Sequence, residues 1–181
     1  MIGAAGGSLL QRSRHKQESA VVAAERAEAE RERERLVKQV GLEIATAART
    51  ANHAMLTAME RIQQDAEAGR PVDFSRFDEE VGNLEAVLVA SLHRLAASGL
   101  AVVPTASSSD DQRPYAAVIA ETTGSMRKHL LAITDGAGTD DLAADLQAAR
   151  VVFEDLNRFL LAQTELIIER PVGFRMALDV I

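Results

Sequence analysis

Between Ser8 and Ala68 the chain carries a single Gly, Gly41, and no Pro. Gly and Pro are the residues that most disfavour a helix interior, so a run this long without interruption predicts one very long helix. At about 1.5 Å of rise per residue it would reach roughly 90 Å, two or three times the diameter of a small domain. Only part of such a helix can be enclosed by a compact bundle. Its two halves differ accordingly. Glu25 to Arg35 (ERAEAERERER) holds no apolar side chain larger than Ala, whereas Val37, Val40, Ile44, Ala47, Ala51, Met55, Ala58 and Ile62 recur at intervals of three and four. That spacing keeps an apolar stripe on one side of a helix and predicts the core-facing half. The charged half is expected to stand in solvent. Glu28 with Arg31, Glu30 with Arg33 and Glu32 with Arg35 are spaced to pair along it, each pair contributing about 0.2–0.5 kcal/mol.

Three further helices follow by the same reasoning. Gly69 and Pro71 stop the first helix, and Asp73 or Ser75 caps a second that runs to about Ser98, with Phe74, Phe77, Val81, Leu84, Leu88, Leu92 and Leu95 inward. Asp78, Glu79 and Glu80 are expected to favour its N-terminal end electrostatically. Gly99 closes it, with Leu100 placed to fold back. Leu100 to Arg113 (LAVVPTASSSDDQR) is the one long connection. Pro114 suits the first turn of a third helix, with Tyr115, Val118, Ile119, Met126, Leu130 and Ile133 inward. Gly124 within it suggests a close helix crossing. After the turn Asp135 to Thr139, the fourth helix runs from Asp140 to about Arg170, where Pro171 ends it. Its seam of Leu142, Leu146, Ala149, Phe153, Leu156, Leu160, Gln163 and Ile167 is the most regular in the chain, with Gln163 its one polar member.

The expected fold is therefore all-α: an up-down-up-down four-helix bundle over residues 37–170, with a long N-terminal, coiled-coil-like helical extension over residues 11–36. Aromatic content of 3% with no Trp agrees with close-packed, Ala-rich helices rather than a sheet. Two end segments flank this unit. Residues 1–10 (MIGAAGGSLL) are uncharged, precede Arg12, Arg14, His15 and Lys16, and contain Gly3 and Gly7 in GxxxG spacing. They read either as a frayed end or as the remnant of a membrane anchor, since crossing a bilayer takes about 20 apolar residues. Residues 171–181 form an apolar tail, in which Val172, Phe174, Met176, Leu178 and Val180 alternate with Gly, Arg, Ala and Asp. This period of two suits an extended segment lying along the bundle or held by another chain.

Charge restricts the partners. The net charge is −7, but Gln11 to Lys38 holds eight basic residues against six acidic, a net of +2, leaving −9 for the remainder. An acidic bundle lacks the clustered Lys and Arg that phosphate contacts need, which argues against nucleic acid. The absence of Cys excludes disulfides and thiolate chemistry.

The sequence holds no complete catalytic or metal-binding motif. His15, His53, His93 and His129 have Arg12, Thr50, Ala90 and Met126 three residues before them, where a di-iron bundle would place Glu. No HExxH, GxSxG, phosphate-cradling or dinucleotide motif occurs. The acidic pairs Asp110 with Asp111 and Glu79 with Glu80 are explained by solvation and helix capping. Gly136, Ala137, Gly138, Thr139, Asp140 and Asp141 resemble the GxGTD[DE] calcium loop of annexins, with Asp179 roughly where that family places its distal carboxylate. The resemblance would imply a calcium site, but the four-fold repeat that defines annexins is absent. A Gly helix stop, a Thr139 cap and first-turn acids account for all six positions. No catalytic, cofactor-binding or metal residues are therefore assigned.

A short apolar end, basic residues, a charged helical stem and a helical bundle, in that order, resemble a recurrent type of uncharacterised single-span bacterial membrane protein. The resemblance concerns organisation and transfers no functional residues; the basic residues just past residues 1–10 imply a cytoplasmic placement, at the inner face of the membrane on the anchor reading. The expected function is a non-catalytic structural or interaction protein that assembles with itself or a partner protein through the stalk and tail. The alternative is a ligand-sensing bundle with a pocket for a small apolar molecule near Tyr115, Met55, Met59 or Met126.

Overall fold

The computed structural model describes residues 5–98, 113–136 and 138–169, with side chains from residue 18 onward. These form four α-helices, α1 (Ala5–Glu67), α2 (Phe74–Ala97), α3 (Tyr115–Thr134) and α4 (Asp140–Glu169), with no strand among the described residues. The chain is all-α, as its periodicity predicts. The connection over residues 99–112 and the tail over residues 170–181, including the expected roles of Leu100 and of the alternating apolar positions, lie outside the described residues.

Helix ends follow local chemistry. Gly69 takes a left-handed φ of 65° after α1, and Gly136 one of 93° after α3, conformations that cost a side chain with a Cβ. Asp73 caps α2 by accepting from the Arg76 N–H at 3.1 Å. Ser98 ends it, its hydroxyl donating to the Leu95 carbonyl at 2.8 Å. Pro114 is the N-cap of α3 rather than a first-turn residue, one position earlier than its sequence suggests.

α1 packs against α2 and α4, while α3 packs against α4 and, over a smaller area, α2. The core they share is dense. Met55 and Met59 of α1, Leu88 and Leu95 of α2, Ile119 and Met126 of α3 and Leu156 and Leu160 of α4 are fully enclosed. Each such side chain contributes about 1.5–3 kcal/mol by leaving water. The expected seams of α2 and α4 are in place, with Phe74, Leu84 and Gln163 half-buried.

The seam of α1 is displaced. Val37 and Val40 are 45% exposed and Ala47 faces outward, while Gly41, Ala45, Ala48, Asn52, Met59 and Ala66 join Ile44, Ala51, Met55, Ala58 and Ile62 inside. Two physical reasons account for this. Lys38 lies against the Ile168 carbonyl, whereas the first residue of α3, Tyr115, lies against Asp155 and Phe159 of α4. Nine residues of α4, about 14 Å, therefore separate the start of α3 from the level of Val37. Further along, Ala45, Ala47 and Ala48 are equal in hydropathy, so the pattern does not say which of them points inward.

Gly124 does not mark a helix crossing. It is exposed, and a Cβ added there meets nothing within 4 Å; the same is true of Gly82 in α2. Both occupy helix interiors at ordinary φ. Gly82→Ala and Gly124→Ala are each expected to stabilise the fold by about 0.5–1 kcal/mol, read as a higher urea midpoint at unchanged slope.

Candidate functional site

Polar side chains tie each pair of adjacent helices. Asn52 of α1 donates from Nδ2 to the Phe153 carbonyl of α4 at 2.9 Å, and Arg150 of α4 pairs with Glu60 of α1 at 3.0 Å. Arg61 of α1 pairs with Glu80 of α2. Arg127 of α3 grips Asp78 of α2 through two parallel bonds of 2.7 and 2.8 Å and lies over the Phe74 ring, 6.0 Å from its centroid. Asp78 and Glu80, expected to serve the start of α2, thus also join neighbouring helices. Between α3 and α4, the buried Tyr115 hydroxyl donates to Asp155 Oδ2 at 2.5 Å, and Arg158 reaches the other oxygen at 3.4 Å.

One cluster contains the residue types of hydrolytic chemistry, in an arrangement that does not serve it. Ser125 donates to Asp145 Oδ1 at 3.0 Å and His129 Nδ1 meets Asp145 Oδ2. Here the carboxylate stands between hydroxyl and imidazole, whereas activation of a nucleophile needs the imidazole against the hydroxyl. The cluster joins α3 to α4. His53 and His93 are exposed, and the side chain of His15 lies outside the described residues. Among the described residues no three His, Asp or Glu side chains converge as a metal-ligand set.

The annexin-like stretch shows helix-end geometry. Gly136 turns the chain, the Thr139 carbonyl accepts the first helical bond from Ala143 at 3.2 Å, and Asp140 and Asp141 are exposed on the first turn of α4. Ala137 and Asp179, like Asp110 and Asp111, lie outside the described residues. Tyr115, Met55, Met59 and Met126 do not surround an open pocket; each is at most 1% exposed within the core.

The feature that sequence reasoning missed lies on the outside. Along α1, the small side chains Thr46, Ala47, Thr50 and Ala54 form the floor of a groove of about 870 Å³, walled by Leu84 and Val87 of α2. Arg35, Lys38, Gln39 and Glu43 line its N-terminal part. Val87 is 49% exposed, whereas the next residue, Leu88, is fully enclosed in the core. A second cleft, between α1 and α4, shares Thr46, Thr50 and Ala54 and adds Arg49, His53 and Asn157. The outward face of α1 is thus low, with a neighbouring helix rising on each side. Its signal in the sequence is a second apolar series, offset from the core seam, which small residues make faint.

Fold and groove together define the class: an all-α protein whose described residues form four helices with a closely packed core and an apolar channel on its outer face. No protein-family model, curated protein or solved structure matches this chain. Among the described residues no helix is long and apolar enough to cross a membrane.

Two measurements probe the ties. Tyr115→Phe removes the donor to a buried carboxylate and is expected to cost about 1–3 kcal/mol in denaturant unfolding. The Arg127 guanidinium, by donating to Asp78 and by its charge, holds that carboxyl below its ordinary range. A carboxyl depressed in the folded state stabilises above its unfolded pKa, and that stabilisation is lost as pH falls through the folded value. The stability gap between the wild type and Asp78→Asn should therefore be full at neutral pH and shrink as pH drops below about 4, the ordinary aspartate value.

Proposed function

We propose that the chain is a non-catalytic structural protein, an up-down-up-down four-helix bundle borne on a charged helical stalk, which assembles with itself or with a partner protein. The up-down course is supported by the order of interhelix partners. Lys38, Asn52 and Glu60 of α1 meet Ile168, Phe153 and Arg150 of α4, so one numbering rises as the other falls. Asp78 and Glu85 of α2 likewise meet Arg127 and Thr123 of α3.

The observation that carries the functional reading is the length of α1. At 63 residues it is more than twice the 30 of α4, and from residue 18 to residue 40 only Glu34 and Lys38 are even half-buried. A solitary helix of alternating charge gains only tenths of a kcal/mol from each of its pairs, and most helical stability comes from packing an apolar face. Val21, Val22, Leu36, Val37 and Val40 are exposed along this same segment. Apolar side chains on a projecting helix are what an association through the stalk would cover.

Removal of residues 1–35 is expected to lower the mass measured by light scattering to that of the single chain. A full-length protein that is already monomeric at every concentration, and that pulls down no partner through its stalk, would refute the proposal.

A further inference from the structure

The outer face of α1 holds a second stripe, distinct from the one that fills the core. Leu36, Val40, Glu43, Ala47, Thr50 and Ala54 are spaced 4, 3, 4, 3, 4 in the sequence, the interval of a coiled-coil seam. Leu36 is 49% exposed and Val40 45%, and the stripe runs on into the groove between α1 and α2. Large apolar side chains at one end and a channel floored by Ala and Thr at the other are complementary shapes on a single helix. Small residues let another helix come close, and the exposed Val87 wall would be covered by it. Such a face suits a second copy of itself.

We infer that this channel is the contact surface between two copies of the chain, whose α1 helices lie antiparallel across each other and centre near Lys38. The inference rests on the self-assembly reading and names the surface and the direction. Charge selects the direction. Continued toward the N-terminus at the same interval, the stripe carries Arg33 and Arg26 as well as Glu43. A parallel pair sets each of these charges against its own counterpart, and like charges at a helix seam repel. An antiparallel pair centred on Lys38 instead sets Arg33 of each copy opposite Glu43 of the other and Leu36 opposite Val40. It also runs Ala29, Arg26 and the exposed Val22 past Ala47, Thr50 and Ala54 of the channel floor. The two helices would overlap over residues 22–54, about 48 Å.

The test uses the full chain, which has no native cysteine. Light scattering should give twice the 19.5 kDa chain mass, falling to once that mass for Val40→Glu with Ala47→Glu. Both sites are exposed, and unchanged helicity and thermal midpoint in circular dichroism would show that the variant still folds. Mixing the single variants Arg33→Cys and Glu43→Cys under mild oxidation should give mainly the mixed 33-to-43 disulfide. Homodisulfides in excess of the mixed species would mean a parallel pair and overturn the inference. A dimer that survives the two glutamates would overturn the channel as its surface while leaving assembly through the stalk intact. A monomer at every concentration would overturn both, the channel then being covered by the chain's own end or by a small apolar molecule.

Discussion

A mismatch of lengths governs this structure. The helices that can enclose a core hold 24, 20 and 30 residues, and the first holds 63. Among the described residues, no other helix buries α1 between residues 18 and 33. The composition follows this geometry: Ala, Glu and Arg occupy the part that water surrounds, and Met, Ile and Ala the part that α2, α3 and α4 enclose. Helix propensity holds the first part together and apolar burial the second.

Within the enclosed part, packing supplies most of the cohesion and polar contacts supply most of the discrimination. Surface ion pairs such as Arg127 with Asp78 or Arg150 with Glu60 are partly solvated, and pairs of this kind contribute about 0–1 kcal/mol each. Their value lies in register. Each bridges a particular turn of one helix to a particular turn of the next, and sliding a helix by one turn would break several at once. The buried contacts of Asn52 with the Phe153 carbonyl and of Tyr115 with Asp155 act in the same way, with a higher penalty for mispairing because the groups are out of water.

The clusters that carry chemical residue types are absorbed by this structural task. Ser125, His129 and Asp145 join α3 to α4, Glu80 is engaged by Arg61 and Arg76, and the glycine-rich turn before α4 ends one helix and starts another. What is left over is a surface. α1 is low where α2 and α4 rise beside it, and its apolar series continues past the last turn of α4.

Much of the fold was legible because its signals are local. Gly69, Asp73, Pro114 and Gly136 act on their own backbone, so the helix limits could be read to within one or a few residues. The α4 seam was equally plain, since Leu and Phe alternate there with charged neighbours and leave one inward face. The outer channel and the interhelix ties were not legible. Leu84 and Val87 share a groove with Thr46 and Ala54 across thirty or more positions, and no sequence interval announces that a carboxylate on α2 will be gripped from α3.

The sequence by itself determined the four helices of the described residues, roughly where they end, and that the first outruns the rest; backbone preference and hydrophobic period act over a few residues and need no partner. Only the tertiary structure decided which way α1 faces. Ala45, Ala47 and Ala48 cost the same to bury, so the choice among them fell to the larger side chains of the helices packed against them, and that choice turned Ala47 and Thr50 outward to make a channel.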